Sequence, residues 1–346
     1  DFIEANGDTR ILRLWDQTNG SSFSSYGYGK LWDSTSINNG SCTFPSTNDH
    51  GSTVAGVGAG NGLANGKNKG VAPDANIVFI NLDLSAGYQA RIVDACDYIF
   101  KYADSLGLPA VVNIGIGSPY GGGHDGNDPF TEYVESLITA KNGRIVIASA
   151  GNYGDYGNYH LRGEVTPDTT FTWFKPNPSF GNIVYFEVFS DTSASHFNFS
   201  IGANKSSGTY EFRGRSNFRD TYDQLGLVVA DTIWNGTNMI ASYQTYSELV
   251  DSAYHLEIYI DRIDSVNYNF SFLTEGLSDS YDLWNATNVL TNDIVENIPS
   301  SSVLPEIVNY QLPDSLNTLA AYFMNSEKII SVGNFNNRQG YTDFNG

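Results

Sequence analysis

Asp49-His50-Gly51-Ser52-Thr53-Val54-Ala55-Gly56-Val57-Gly58 is the most informative run in the chain. A histidine stands at a loop-to-helix junction, followed by small residues. Gly51, Ala55, Gly56 and Gly58 carry little or no side chain, so the helix they form can approach a neighbouring sheet or helix closely. Glycine is about 1 kcal/mol worse than alanine inside a helix, so propensity alone does not place these residues there. Close packing that holds His50 at a fixed place in a cleft accounts for them. A lone histidine on a Gly-rich turn is more commonly structural than catalytic. The weight therefore falls on what surrounds it.

From residue 50 to about 160 the pattern is α/β. Short apolar runs bounded by turn signals read as buried parallel strands over Asn76–Leu82, Ala110–Ile116 and Arg144–Ser149. Between them Ile92, Cys96, Ile99, Phe100, Ala103 and Leu106 recur at helical spacing, predicting a helix from about Tyr88 to Leu106. Asp128-Pro129 reads as an N-cap followed by proline at the first helical position, opening a helix with Phe130, Val134, Leu137 and Ile138 inward. The alternation predicts a mostly parallel sheet with helices on both faces. Upstream, Thr9–Trp15 is strand-like and is followed by a long Ser/Gly/Tyr/Asn-rich loop.

The texture changes at about Arg162. Phe197, Phe199 and Ile201 alternate with polar residues, as do Leu256, Ile258 and Ile260, and Tyr268, Phe270 and Phe272. Ile233–Ile240 carries an Asn235-Gly236 turn between apolar flanks, a strong hairpin signal. Some eight such runs predict an inserted all-β sandwich over 162–300. The α/β texture resumes at 301–346, where Lys328–Gly333 reads as another buried strand. The expected division is thus 1–161, 162–300 and 301–346.

Acidic residues number 38 against 18 basic, a formal net charge of −20. That balance speaks against nucleic acid or an anionic membrane surface as partner. It suits a secreted or cell-envelope setting of bacterial type. No apolar run approaches the roughly 18 residues of a membrane span. With Cys42 and Cys96 alone there is no disulfide framework, and Cys96 falls on the apolar helix stripe, as a buried thiol does. A bridge between the two stays open. The chain begins at Asp1 and reads as a segment of something longer.

Five motifs follow one another in order. They are His50-Gly51-Ser52-Thr53-Val54-Ala55-Gly56, Gly70-Val71-Ala72-Pro73-Asp74-Ala75, Val111–Ser118, Ile147-Ala148-Ser149-Ala150-Gly151-Asn152, and Ile329–Phe335 with Tyr341–Gly346. This order resembles the subtilisin-like serine peptidases, the subtilases. The usual His-Gly-Thr-His-Val-Ala-Gly is altered here by Ser52 and Thr53, and Asp49 stands where a glycine commonly precedes it. The likeness covers roughly 1–160 and 308–346. Some members carry a jelly-roll insertion at this point, ended by a segment like Tyr281-Asp282-Leu283-Trp284.

The resemblance implies a division of labour. Acyl transfer needs a nucleophile, a base, a carboxylate orienting the base, and oxyanion donors. His50 matches the base and Asn152 the oxyanion donor. Gly115, Ile116 and Gly117 match backbone that pairs with an extended peptide, and Ala150 and Gly151 wall the first specificity pocket, with Tyr153 beside it. The family serine lies in a Gly-Thr-Ser run, which does not occur in these 346 residues, and the aspartate motif is expected upstream of Asp1. The 346 residues alone are therefore expected to be inactive, with peptide or protein as substrate of the parent protein. No cofactor is implied, and a structural calcium is left open with no ligands assigned. Gly123-His124-Asp125-Gly126 offers two adjacent ligands, too few for a metal. His160, His196 and His255 are scattered through the insert and are read as structural. A protease-like protein without turnover, and a binding module whose aromatic sandwich holds glycan or peptide, are the rival readings. Oligomeric state is not read from the sequence.

Overall fold

The fold is taken from a computed structural model. It describes residues 1–20, 25–44, 49–64, 66–85, 87–118, 121–152, 159–192, 196–250, 253–261, 267–285, 291–314 and 321–333. Tyr153 and the last motif segment from 334 onward fall outside the described residues. The chain divides into two compact units. One comprises 1–115, 132–148 and 328–330, the other 116–131, 149–327 and 331–346.

In the first unit β1 (Ile11–Asp16) pairs antiparallel with β2 (Lys30–Asp33) and parallel with β3 (Ile77–Asn81). The short α1 (Ser34–Asn38) is capped by Asp33, whose carboxylate accepts from the Ser36 amide at 2.8 Å. The predicted long helix is α3 (Tyr88–Ser105), one residue shorter than expected. Its Ile92, Cys96 and Phe100 are buried. Leu106, by contrast, stands 46% exposed just past the helix end. Burial pushes the Cys96 thiol up to about 12, and neither cysteine is bridged. Trp15 is fully buried, with the rings of Tyr26, Tyr28 and Tyr98 at 4.9, 5.4 and 5.5 Å.

The next predicted strands are β4 (Ala110–Ile114) and β5 (Arg144–Ser149), paired in parallel with Ile114 opposite Ala148. They differ from expectation in one respect. Val112, Ile114, Val146 and Ala148 are buried, but Val111 is 60% and Ile145 42% exposed. These strands pack one face only, and with β18 (Ile330–Val332) they form a ladder separate from β1–β3. The helix expected at Asp128 is α4 (Pro129–Thr139). The Asp128 carboxylate accepts from the Phe130 and Thr131 amides at 3.1 and 2.9 Å, the N-cap role predicted for it.

The second unit is built mainly of two six-stranded antiparallel sheets. One contains β7 (Thr170–Pro176), β9 (Asn198–Lys205), β10 (Phe212–Arg215), β11 (Arg219–Asp220), β15 (Tyr268–Glu275) and β17 (Asn292–Ile294). The other runs in the order β12 (Val228–Asn235), β13 (Asn238–Val250), β14 (Ala253–Asp261), β8 (Val184–Asp191), β16 (Asp279–Trp284) and β6 (His160–Val165). The predicted alternation is realised: Phe199, Ile201, Ile258, Ile260, Phe270 and Phe272 all enter one core shared by both sheets. Phe174 of one sheet stacks on Phe186 of the other at 4.1 Å. The Asn235-Gly236 signal is the β12–β13 hairpin, with Asn235 opposite Asn238 and Gly236 at φ 59°. Gly163 on β6 lies opposite Tyr281 on β16, and a Cβ there would meet the tyrosine ring at 2.1 Å.

Candidate functional site

His50 is the first residue of α2 (His50–Ala59), so the sequence places it correctly at the loop-to-helix junction. The small residues behind it act differently from the expectation. A Cβ on Gly56 or Gly58 would meet nothing within 4 Å, and α2 has no buried residue. Those two glycines therefore do not serve tight packing. Close approach occurs instead at Gly51, where a Cβ would lie 3.4 Å from the Phe79 ring. It recurs at Gly70, where a Cβ would lie 2.7–2.8 Å from Gly56 O, Gly60 N and Val57 O.

Gly70 shows what the Gly-Val-Ala-Pro turn does. The amides of Gly70, Val71 and Ala72 donate to the carbonyls of Gly60, Val57 and Gly58 at 2.7, 3.0 and 2.8 Å. The buried Arg10 guanidinium donates to Ala59 O at 2.7 Å and to Ala75 O at 2.5 Å. A helix end leaves carbonyls without intrahelical partners and carries partial negative charge. The turn and Arg10 satisfy those carbonyls together, and so fix the helix that carries His50. The Gly70 motif was legible in the sequence; Arg10 was not, because its partners lie 49 and 65 residues away.

At the other end of the helix, His50 and Val54 lie one turn apart and share a face. That face meets the carboxyl end of β4. A Cβ on Gly115 would lie 3.6 and 3.7 Å from the Val54 methyls and 3.8 Å from His50 Cε1. Two residues singled out from sequence, His50 and Gly115, are thus neighbours within the first unit. A carboxyl strand end is where an open α/β sheet commonly presents its ligand site.

The remaining residues singled out belong to the second unit. Ile116 is half-buried, Gly117 exposed, Ala150 half-buried, and Gly151 and Asn152 exposed. Gly151 adopts φ 100°, a conformation that suits glycine, and Asn152 follows in a bend. Gly117 and Ala150 converge on a segment the sequence did not flag. The Ala321 amide donates to Ala150 O at 3.1 Å and the Tyr322 amide to Ser118 O at 2.8 Å. A Cβ on Gly117 would lie 2.5 Å from the Ala321 methyl, so only glycine fits. Ala150 also donates its amide to Val332 O at 2.9 Å. No local pattern marks Ala321, because its role comes from residues some 170–200 positions earlier in the chain.

Loop 121–126 is held in the second unit by Tyr322, whose ring meets Gly121 and Gly122, and by stacking of His124 on Trp284 at 3.8 Å. Trp284 also packs on His160 at 4.3 Å, and His160 is bracketed by Asp314 and by Asp282, the latter at 3.1 Å. His124 thus joins an aromatic stack, and His160 stands between two carboxylates.

The family model for the subtilase family matches residues 32–260, well over half of the chain. The structure is similar to that of the CspB protease of Clostridium perfringens, with a TM-score of 0.66 at 19% sequence identity. That likeness covers 97% of this chain, which spans 66% of the other. At that identity it speaks for the fold alone. Helix α2 opening on His50, the capping turn at Gly70 and the β4 and β5 strand ends fall within the matched residues, and on that match this chain belongs to the subtilase family.

Proposed function

We propose that the chain is part of a subtilisin-like serine endopeptidase, secreted or held in the cell envelope. His50 takes the proton of a serine hydroxyl as that oxygen bonds to the scissile carbonyl carbon. It returns the proton to the nitrogen of the leaving amine when the carbon–nitrogen bond breaks. Water then repeats the sequence on the acyl-enzyme and frees the serine. The Asn152 carboxamide donates to the oxyanion, a contribution of about 3–4 kcal/mol in such sites. Gly115, Ile116 and Gly117 pair with an extended peptide, and Ala150 and Gly151 wall the pocket for its first side chain. The serine and the aspartate are assigned to none of the 346 residues. Residues 162–300 are an inserted jelly-roll-like domain between core segments 1–161 and 301–346.

The observation that carries this reading is the seat of His50: the first residue of a helix capped at its far end, its ring against Gly115 at a strand's carboxyl end. A fluorophosphonate probe tests it. The 346-residue chain alone stays unlabelled, whereas a chain extended to include a Gly-Thr-Ser serine and the aspartate is labelled once, and His50→Ala abolishes that labelling. Stoichiometric labelling of the 346-residue chain, or labelling that survives His50→Ala, contradicts the assignment. A second reading, a protease-like protein without turnover, draws support from Ala321 and Tyr322. Their amides occupy the carbonyls of Ala150 and Ser118, beside the groups a substrate would use.

A further inference from the structure

The sheet β12–β13–β14–β8–β16–β6 turns Phe186, Val188, Leu256 and Ile258 into the sandwich core. By alternation Glu187, His255 and Glu257 point from its other face. Glu187 and Glu257 are direct cross-strand partners on β8 and β14, and His255 is two residues from Glu257 on the same face. We propose that Glu187, His255 and Glu257 form a binding site for a first-row divalent cation of the zinc type, clamping β8 to β14.

Among the described residues this is the one group of three such side chains whose ligand atoms lie within 4.8 Å of one another. It is also buried: Glu187 is fully covered and His255 is 3% exposed. The imidazole Nε2 makes no hydrogen bond, though Glu187 Oε1 lies 3.4 Å away. That separation matches the edge, roughly 3.3 Å, of a tetrahedron built on bonds of about 2.0–2.1 Å. The other ring nitrogen, Nδ1, lies 3.2 Å from Glu248 Oε1, directly across on β13. Metal-bound histidines are typically oriented in this way, with the second N–H held by a carboxylate that leaves the first nitrogen's lone pair free.

Glu187 is oriented too. The Gly121 amide donates to its Oε2 at 3.0 Å and the Tyr185 hydroxyl to its Oε1 at 3.1 Å. Three carboxylates thus surround one imidazole, and among the described residues no lysine or arginine forms an ion pair with any of them. Buried carboxylates without a cation are costly. One imidazole with two carboxylates suits zinc, manganese or iron(II) better than calcium, which takes six to eight oxygens. Three protein ligands leave a fourth position for water.

Zinc stoichiometry of the 346-residue chain tests the site. The chain is stripped with chelator, dialysed against Zn2+, desalted and analysed for metal, with Tm measured before and after. One Zn2+ per chain is retained, and Tm rises by several degrees. Glu257→Gln and His255→Gln each abolish retention, and Glu248→Gln weakens zinc binding by about 10- to 100-fold, the usual effect of losing such a supporting carboxylate. His196→Ala, at an exposed histidine elsewhere in the insert, leaves the stoichiometry at one. Circular dichroism verifies folding, and the half-buried Glu257 supplies the deciding variant if His255→Gln does not fold. Failure to retain zinc overturns the proposal, as does retention unchanged by Glu257→Gln.

Discussion

At the scale of the residue, His50 sits beside Gly115. Gly115 leaves the imidazole room, since a Cβ would stand 3.8 Å from Cε1. Gly115→Val puts methyls against the ring and turns it. The His50 Hε1 resonance shifts while stability falls by about 1–3 kcal/mol; an unmoved resonance would show that the two do not touch. Asp282 gives a pH dependence. Burial pushes its carboxyl up, but the hydrogen bond from His160 and the charge of Arg162 outweigh this and hold it below the usual carboxylate range. Its folded value is then below its unfolded value of about 3.9, so it contributes stability above that pH and loses it as pH falls further. In acid titrations followed by Tm, Asp282→Asn flattens the decline below about pH 4; an unchanged acid limb would remove Asp282 from the account. The sequence identified His50 because small residues and a family order surround it. It could not identify Ala321 or Arg10, whose partners become neighbours only through the fold.

At the scale of the element, the α2 end and the β6 face are each held by specific partners. Arg10→Met strips a charged donor from Ala59 O at the far end of α2 and from Ala75 O in the following turn, a loss of about 2–3 kcal/mol. The urea midpoint falls accordingly; a midpoint equal to that of the parent would mean water replaces the guanidinium at no cost. On β6, Gly163→Ala forces a methyl into the Tyr281 ring and costs about 1–3 kcal/mol, much of it recovered when Tyr281 is shortened to Leu in the same chain. Strict additivity of the two changes would count against this packing. Strand β5 and the start of helix α4 were legible to the residue, since β-branched runs and an Asp-Pro cap are local signals. The role of the α2 glycines was not. Gly56 and Gly58 face open space, whereas Gly70 carries the close contact. Exposure of Val111 and Ile145 was equally hidden, because an apolar run does not say how many faces will be covered.

At the scale of the whole molecule, a chain of the subtilase family carries two six-stranded antiparallel sheets. Those sheets were legible because a period of two contrasts with the helical period before it. The meeting of Glu187 with His255 and Glu257 was not, since cross-strand register sets it and no spacing in one strand reveals it. In the proposed reaction His50 moves the proton and Asn152 stabilises the oxyanion. Peptide hydrolysis in a chain extended to carry the nucleophilic serine and aspartate tests both roles. His50→Ala then lowers kcat by about 10⁶-fold, and Asn152→Ala by about 10²–10³-fold, with KM little changed in both; the magnitudes are those established for subtilisin, a member of the same family. Hydrolysis that continues at the parental kcat after His50→Ala would contradict the account.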